Sequence, residues 1–420
     1  MLGAPRQAAE QPHWLSLERL RIYPRIFIAV YVIMAVAWVL MSADLVDPKG
    51  KPLGYDFITF WAASYLALAG EAAAAFDVTR IVAVEQMAVP GSPAVFLWHY
   101  PPPFHLIVLP FALMPYLVAY AAWVASTLAA SAGVIRRFAP RPETLALVLA
   151  FPGTFVNAFH GQNGFLSTAL FGAALLLLPA RPVAAGVMFG LLCYKPQLGL
   201  LVPLALLCGR QWVALASAAA TALAFAGLST VATGWDAWAA FFRNLPTVRL
   251  LLDDAMLPWA KIPSVYVGLR MLGFGVTPAY VVHGAVAVLV AATVARVWWL
   301  RAPLRLSAAV LSAGAVLIPP YLFDYDLALL AIPLAILAWD GLSRGWRSGE
   351  REILVLAWLV PMTAPIIAMP TGINVAAPCL GALFIVAVRR ALAAIPESRG
   401  EVALPRGQAV PVLPAAKPGL

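Results

Sequence analysis

Asp56 lies in the run Gly54-Tyr55-Asp56-Phe57, just past the first long apolar segment of a 420-residue chain with only 19 acidic residues. An acid is costly to place beside a membrane span, so Asp56 is the first candidate for chemistry. A carboxylate in hydrogen-bond reach of a hydroxyl can take its proton as a general base. The competing reading is that Asp56 caps the helix that follows it. Lys195, in Tyr194-Lys195-Pro196-Gln197, is a point charge at a helix break among apolar residues, where an anionic headgroup can be held. It reads equally as an interfacial lysine with its stem in the apolar layer. His160, Gln162 and Asn163 offer donors at the start of a helix, a place suited to anions, against the plainer reading of a polar turn. Asp324-Tyr325-Asp326 has the spacing of the DxD motif that holds a metal on a nucleotide diphosphate. His99, His105 and His283 stand isolated, and Cys193, Cys208 and Cys379 have no CxxC spacing, so neither a metal site nor a disulfide framework is expected.

The elements that must position these residues are apolar. The chain is 63% hydrophobic and 11% charged, and it repeats stretches of roughly 15 to 25 residues, the length that crosses a hydrocarbon layer. Alternating β-barrel patterns are missing, so the fold class expected is an all-α polytopic membrane protein. Its candidate spans are 26–46, 103–134, 143–157, 164–179, 183–194, 197–208, 212–232, 276–299, 306–322, 326–341, 353–369 and 373–389. The stretches 183–194 and 197–208 are short, about 18 Å each as helix, and form either one helix kinked at Pro196 or two segments meeting at Lys195.

Charge favours two. With twelve spans, about 20 of the 28 Lys and Arg residues fall on one side, as the positive-inside rule requires. The net charge of +9 therefore reads as a topology signal and not as a nucleic-acid surface. The expected organisation is a cytoplasmic N-terminal segment 1–25, a transmembrane domain 26–390 and a disordered cytoplasmic tail 391–420. The first span carries no cleavage site and is read as an uncleaved anchor. The outer side receives a first loop 47–102, a second large loop 233–275, and the turns at His160–Asn163, Lys195 and Asp324–Asp326. In the first loop, 57–68 and 79–88 have helical spacing, with Trp61 and Tyr65 suited to the headgroup layer.

The order Tyr55-Asp56-Phe57, Tyr100-Pro101-Pro102, Gly161-Gln162-Asn163 at the head of a span, then Ala185-Gly186 and Gly190 before Lys195-Pro196, resembles glycosyltransferase family 87 across residues 26–340. That family belongs to the GT-C class of polyprenyl-phosphate-sugar-dependent enzymes. Small residues usually precede the lysine there; here Cys193-Tyr194 stands in their place. The resemblance implies a GT-C-type fold and a hexosyltransferase, most often a mannosyltransferase, with no cofactor. The implied partners are a polyprenyl phosphate sugar donor and a lipid or glycan acceptor.

It also implies a catalytic acid in the first outer loop, which maps onto Asp56. The donor phosphate then falls to Lys195, His160, Gln162 and Asn163, and the acceptor or sugar to Tyr55, Tyr100, Asp324 and Asp326. One-step displacement by a base opposite the leaving group inverts the anomeric centre. The DxD-like turn is predicted on the outer, periplasmic face of a bacterial inner membrane, away from nucleotide sugars, so no metal is expected. Arg243, Arg249, Lys261 and Arg270 are further outer cations with no role assigned. The alternatives are a twelve-span lipid or solute transporter, which calls for mid-membrane polar residues and an inverted repeat, and a scaffold subunit.

Overall fold

In hydrocarbon an apolar run can satisfy its backbone groups only as a helix or a closed barrel, and the computed structural model, which describes residues 14–395, is built from helices. The chain opens with α1 (Leu17–Leu40), α2 (Phe57–Leu68), α3 (Val78–Ala88), α4 (Pro103–Val108) and α5 (Tyr116–Phe138). Next come α6 (Thr144–Ala150), α7 (Pro152–His160), α8 (Gly164–Leu177), α9 (Pro182–Leu191), α10 (Pro196–Gly199) and α11 (Leu201–Cys208). It continues through α12 (Trp212–Thr233), α13 (Trp235–Asp253), α14 (Val265–Met271) and α15 (Val276–Trp299). The last helices are α16 (Leu304–Ala315), α17 (Ala331–Arg344), α18 (Glu350–Thr371) and α19 (Ala376–Ala393).

Among the described residues, seven stretches are long and apolar enough to cross a membrane: α1, α5, α12, α15, the stretch Asp324–Arg344 that ends in α17, α18 and α19. The protein is an all-α polytopic membrane protein. The other segments expected to span are shorter helices or broken ones. The expected span 103–134 breaks at Met114, where the backbone turns extended ahead of Pro115, since the residue before a proline leaves the helical region. The span 143–157 breaks between α6 and α7 at Phe151-Pro152 for the same reason. Helix α1 starts nine residues before the expected 26, because Ser16 caps it by accepting from the Arg19 amide at 3.3 Å. The second large loop, 233–275, is largely folded into α13 and α14. The tail assigned to 391–420 begins inside α19, and its residues 396–420, like 1–13, lie outside the described residues.

The chain reverses at Lys195. A Cβ at Gly186 would lie 2.5 Å from the Ala214 carbonyl oxygen, and one at Gly190 2.6 Å from that of Ala218. Residue numbers therefore rise together along both helices, so α9 and α12 run parallel, which requires the stretch Pro196–Cys208 between them to run back. This places the Lys195 turn at the same end as the turns around Asp56, Gly161 and Asp324.

Helix α2 buries most of its circumference and leaves one narrow edge open. Phe57, Ile58, Phe60, Ala63 and Leu66 are buried against the segments around Trp98, Phe104 and Phe111, while Trp61 and Tyr65 stand at its outer edge. A helix apolar on all sides is driven to the interior.

Candidate active site

Asp56 is delivered by a tight turn. Gly54 and Tyr55 both have positive φ, +88° and +43°, and Tyr55 is held in this costly conformation by its own side chain. Its hydroxyl donates to Asp47 Oδ2 at 2.6 Å, and Asp47 Oδ1 accepts from the amides of Lys49 at 2.8 Å and Lys51 at 2.9 Å. The Tyr55 ring packs against Trp38, Phe159 and His160. Tyr55, expected to touch sugar, has its hydroxyl engaged by Asp47 within this turn.

Asp56 itself is partly exposed and makes no capping hydrogen bond to α2. Its Oδ2 instead accepts from Gln162 Nε2 at 3.0 Å. Gln162 Oε1 accepts from the Tyr100 hydroxyl at 3.0 Å and from the Asn163 amide at 3.3 Å. Three segments far apart in sequence thereby fix one carboxylate. Their approach depends on Gly161, at φ +58°, where a Cβ would lie 2.5 Å from Phe57 Cβ and 3.1 Å from the Gly54 carbonyl oxygen.

Lys195 sits one layer deeper, 3% exposed. Its Nζ donates to Asn163 Oδ1 at 2.7 Å and pairs with Asp326, which is equally buried, while the rings of Tyr325 and Tyr100 lie 5.4 and 5.9 Å away. A buried ammonium is tolerable only when paired in this way. Gly164 makes the layer possible, since a Cβ there would lie 2.5 Å from the Tyr325 carbonyl oxygen. The Cys193-Tyr194 pair that departs from the family pattern fills the wall behind: the Tyr194 hydroxyl is 2.8 Å from Ser167 Oγ, and its ring stacks on Phe104 at 5.0 Å.

The third group is His160 with Lys261 and Asp324. The His160 Nδ1–H donates to the Val156 carbonyl at 2.8 Å, which leaves Nε2 to accept from Lys261 Nζ at 2.7 Å. Burial, and then the Lys261 charge, push the imidazole down to about 4, so the ring is neutral at pH 7. Lys261 also lies 3.7 Å from Asp324 Oδ2, and its side chain is a quarter exposed. A small second core of Leu252, Ile262, Tyr266, Val267 and Ala279 supports the Lys261 segment. The Ile262 carbonyl beside it accepts from Asn374 Nδ2 at 2.8 Å.

The expected residues Asp56, Tyr100, His160, Gln162, Asn163, Lys195, Asp324 and Asp326 are therefore gathered at one end of the bundle. The two aspartates of the DxD-like turn each face a lysine. His99 accepts at Nδ1 from Asn244, His105 is enclosed beside Trp98, and His283 donates to the Ile318 carbonyl, so these contacts involve none of the clustered residues.

Sequence reasoning left Lys261 undistinguished among four cations, and its short Pro258–Pro263 frame is the local signal that it is rigidly held. It also passed over Glu85, which is 2% exposed, with Oε2 accepting from the Phe96 amide at 3.4 Å and Oε1 buried without a partner among the described residues. Burial, opposed by that amide and reinforced by the charge of Asp56, pushes its carboxyl up to about 8. A carboxyl raised from 4.5 contributes stability that is complete below the lower value and is lost as pH rises through the higher. Glu85→Gln is accordingly expected to raise the unfolding temperature above wild type at pH 8 to 9 and to match it near pH 5.

A multi-pass helical bundle carrying a fixed carboxylate, amides, one buried lysine and one partly exposed lysine at one end has the form of an intramembrane group-transfer enzyme. Residues 98–320, more than half of the chain, match Glycosyltransferase family 87, and the chain belongs to that family. No curated protein and no solved structure matches it. The protein is a membrane-embedded glycosyltransferase acting on a lipid-linked sugar donor, and its helical bundle is consistent with a GT-C-like fold. The matched stretch contains Tyr100, His160, Gln162, Asn163, Lys195 and Lys261, while Asp56, Asp324 and Asp326 lie outside it.

Proposed function

We propose that the protein transfers a hexose, with mannose favoured by the family resemblance, from a polyprenyl phosphate sugar to a hydroxyl of a lipid or glycan acceptor. Asp56 is the general base. The observation that carries this reading is the state of its carboxylate: partly exposed, uninvolved in capping, and aimed by Gln162 at 3.0 Å.

In the transfer, Asp56 takes the acceptor O–H proton, the acceptor oxygen bonds to the anomeric carbon, and the bond from that carbon to the phosphate oxygen breaks with its electron pair leaving on the phosphate. A base opposite the leaving group makes the step inverting. Lys261 is the cation best placed for the departing phosphate, because its side chain is a quarter exposed and its carboxylate partner Asp324 is 3.7 Å away, whereas Lys195 is buried in closer contact with Asp326. The neutral His160 orients Lys261, with Gln162, Asn163 and Lys195 forming the wall behind. Tyr100, Asp324 and Asp326 are assigned to the acceptor or the sugar. A single phosphate can be met by such cations without a metal.

The same reading has twelve membrane crossings, both termini cytoplasmic and the site on the periplasmic face. The excess of Arg at the end of the bundle opposite Asp56 supports it.

The test is transfer by the purified protein in vesicles. Polyprenyl phosphate mannose with a membrane lipid extract as acceptor is expected to yield glycosylated product, with the anomeric configuration inverted by NMR. Transfer driven by a nucleotide sugar with no polyprenyl donor present would overturn the proposal.

A further inference from the structure

Away from the cluster around Asp56, an apolar groove of about 420 Å³ runs along α17 from Ala331 toward Leu342, between α1 and α18, a size inside the range of about 300 to 1,000 Å³ usual for ligand sites. Its floor has a simple origin. Ala331, Ala335 and Ala338 stand at i, i+4 and i+7 on one face of α17, where larger side chains would close the gap. One wall is the edge-to-face pair Phe27 and Trp358, with ring centres 5.1 Å apart.

The rim differs from the floor. Arg19, which also donates to the Trp14 carbonyl, Arg141 and Arg351 line it; among the described residues the one acid there is Glu143, whose carboxylate is engaged by Arg21 at 3.0 Å and Arg141 at 3.4 Å. Arg305 lies over the ring of Trp339 in the groove wall at 5.3 Å, with its Nε and Nη2 buried and no hydrogen-bond partner for them among the described residues. An almost wholly apolar trough with a cationic rim suits a lipid chain attached to an anionic headgroup. Basic pockets between membrane helices on the cytoplasmic side are sites for such headgroups.

We propose that this groove binds one anionic phospholipid, its acyl chain over the three alanines and its phosphate among Arg19, Arg141 and Arg351. The sugar donor does not fit this place, since its phosphate belongs beside Asp56, where the stretch leading into α17 begins at Asp324, and not at the end where α17 closes at Arg344. The inference takes the donor's place and the cytoplasmic side from the proposed function, and it does not depend on which sugar is transferred.

The experiment uses the full chain in detergent with equimolar 1-palmitoyl-2-oleoyl phosphatidylglycerol and phosphatidylcholine, and counts bound lipids by native mass spectrometry. Wild type is expected to retain phosphatidylglycerol in about thirtyfold preference, the factor two basic side chains at a lipid phosphate supply. Arg19→Gln/Arg351→Gln is expected to bring the ratio near parity, and Ala335→Trp to remove the adduct. A photoactivatable phosphatidylglycerol on unmutated protein is expected to label peptides from 331–342, a readout that does not depend on any variant folding. Equal retention of the two lipids by wild type, labelling elsewhere only, or displacement of the adduct by polyprenyl phosphate would each overturn the proposal.

Discussion

Asp56→Asn is expected to lower turnover by about 10² to 10⁴, the range general-base removal costs, while thermal stability stays within roughly 0.5 kcal/mol of wild type. The two halves of this expectation have separate grounds. Catalysis fails because an amide cannot take the acceptor proton. Stability holds because the Asp56 side chain caps nothing, so α2 loses no terminal hydrogen bond, and an Asn oxygen can still accept from Gln162 Nε2. The Michaelis constant for the donor should change little, since the carboxylate does not contact the phosphate in this arrangement. Steady-state transfer in vesicles, alongside an unfolding curve for each protein, checks both. A variant as active as wild type would sink the base assignment, and one that is inactive and also unfolds early would return Asp56 to a structural role.

The sequence made individual residues legible and their pairings illegible, for a physical reason. Asp56, His160, Gln162, Asn163, Lys195 and Asp324 stand out because a polar group at the end of an apolar run is costly unless it does something. Which of them touch cannot be read locally, because Lys195 pairs with Asp326 131 positions on, and His160 with Lys261 101 positions on. The long helices α12 and α15 fell close to their expected limits because nothing interrupts their apolar runs. Residues 103–134 read as one span since apolarity is continuous there, although Pro110 and Pro115 carry the break. Trp61 and Tyr65 stand on the one open edge of α2, and its other faces are buried, as the apolarity of the whole helix favours.

The Lys195–Asp326 pair separates two roles that a single substitution confounds. Lys195→Met leaves a carboxylate 3% exposed with no counter-charge, and Asp326→Asn leaves an ammonium in the same state. Breaking a buried pair by removing one partner costs about 3 to 5 kcal/mol, so each single variant is expected to unfold well below wild type and to lose activity with its fold. Replacing both by apolar residues of similar volume is often neutral, because neither charge then has to be desolvated. Lys195→Met/Asp326→Leu is therefore expected to recover most of the stability lost by either single change, a coupling that unfolding of the four proteins in one detergent measures. Its activity then decides what the lysine does. If Lys195 only holds the turns of α8 and α10 against the Asp326 segment, turnover returns with the fold. If it also meets the donor phosphate once Asp326 yields it, the double variant folds but its Michaelis constant for the polyprenyl donor rises. The burial of Lys195 behind Tyr100 and Tyr325, with Lys261 nearer the surface, favours the first result.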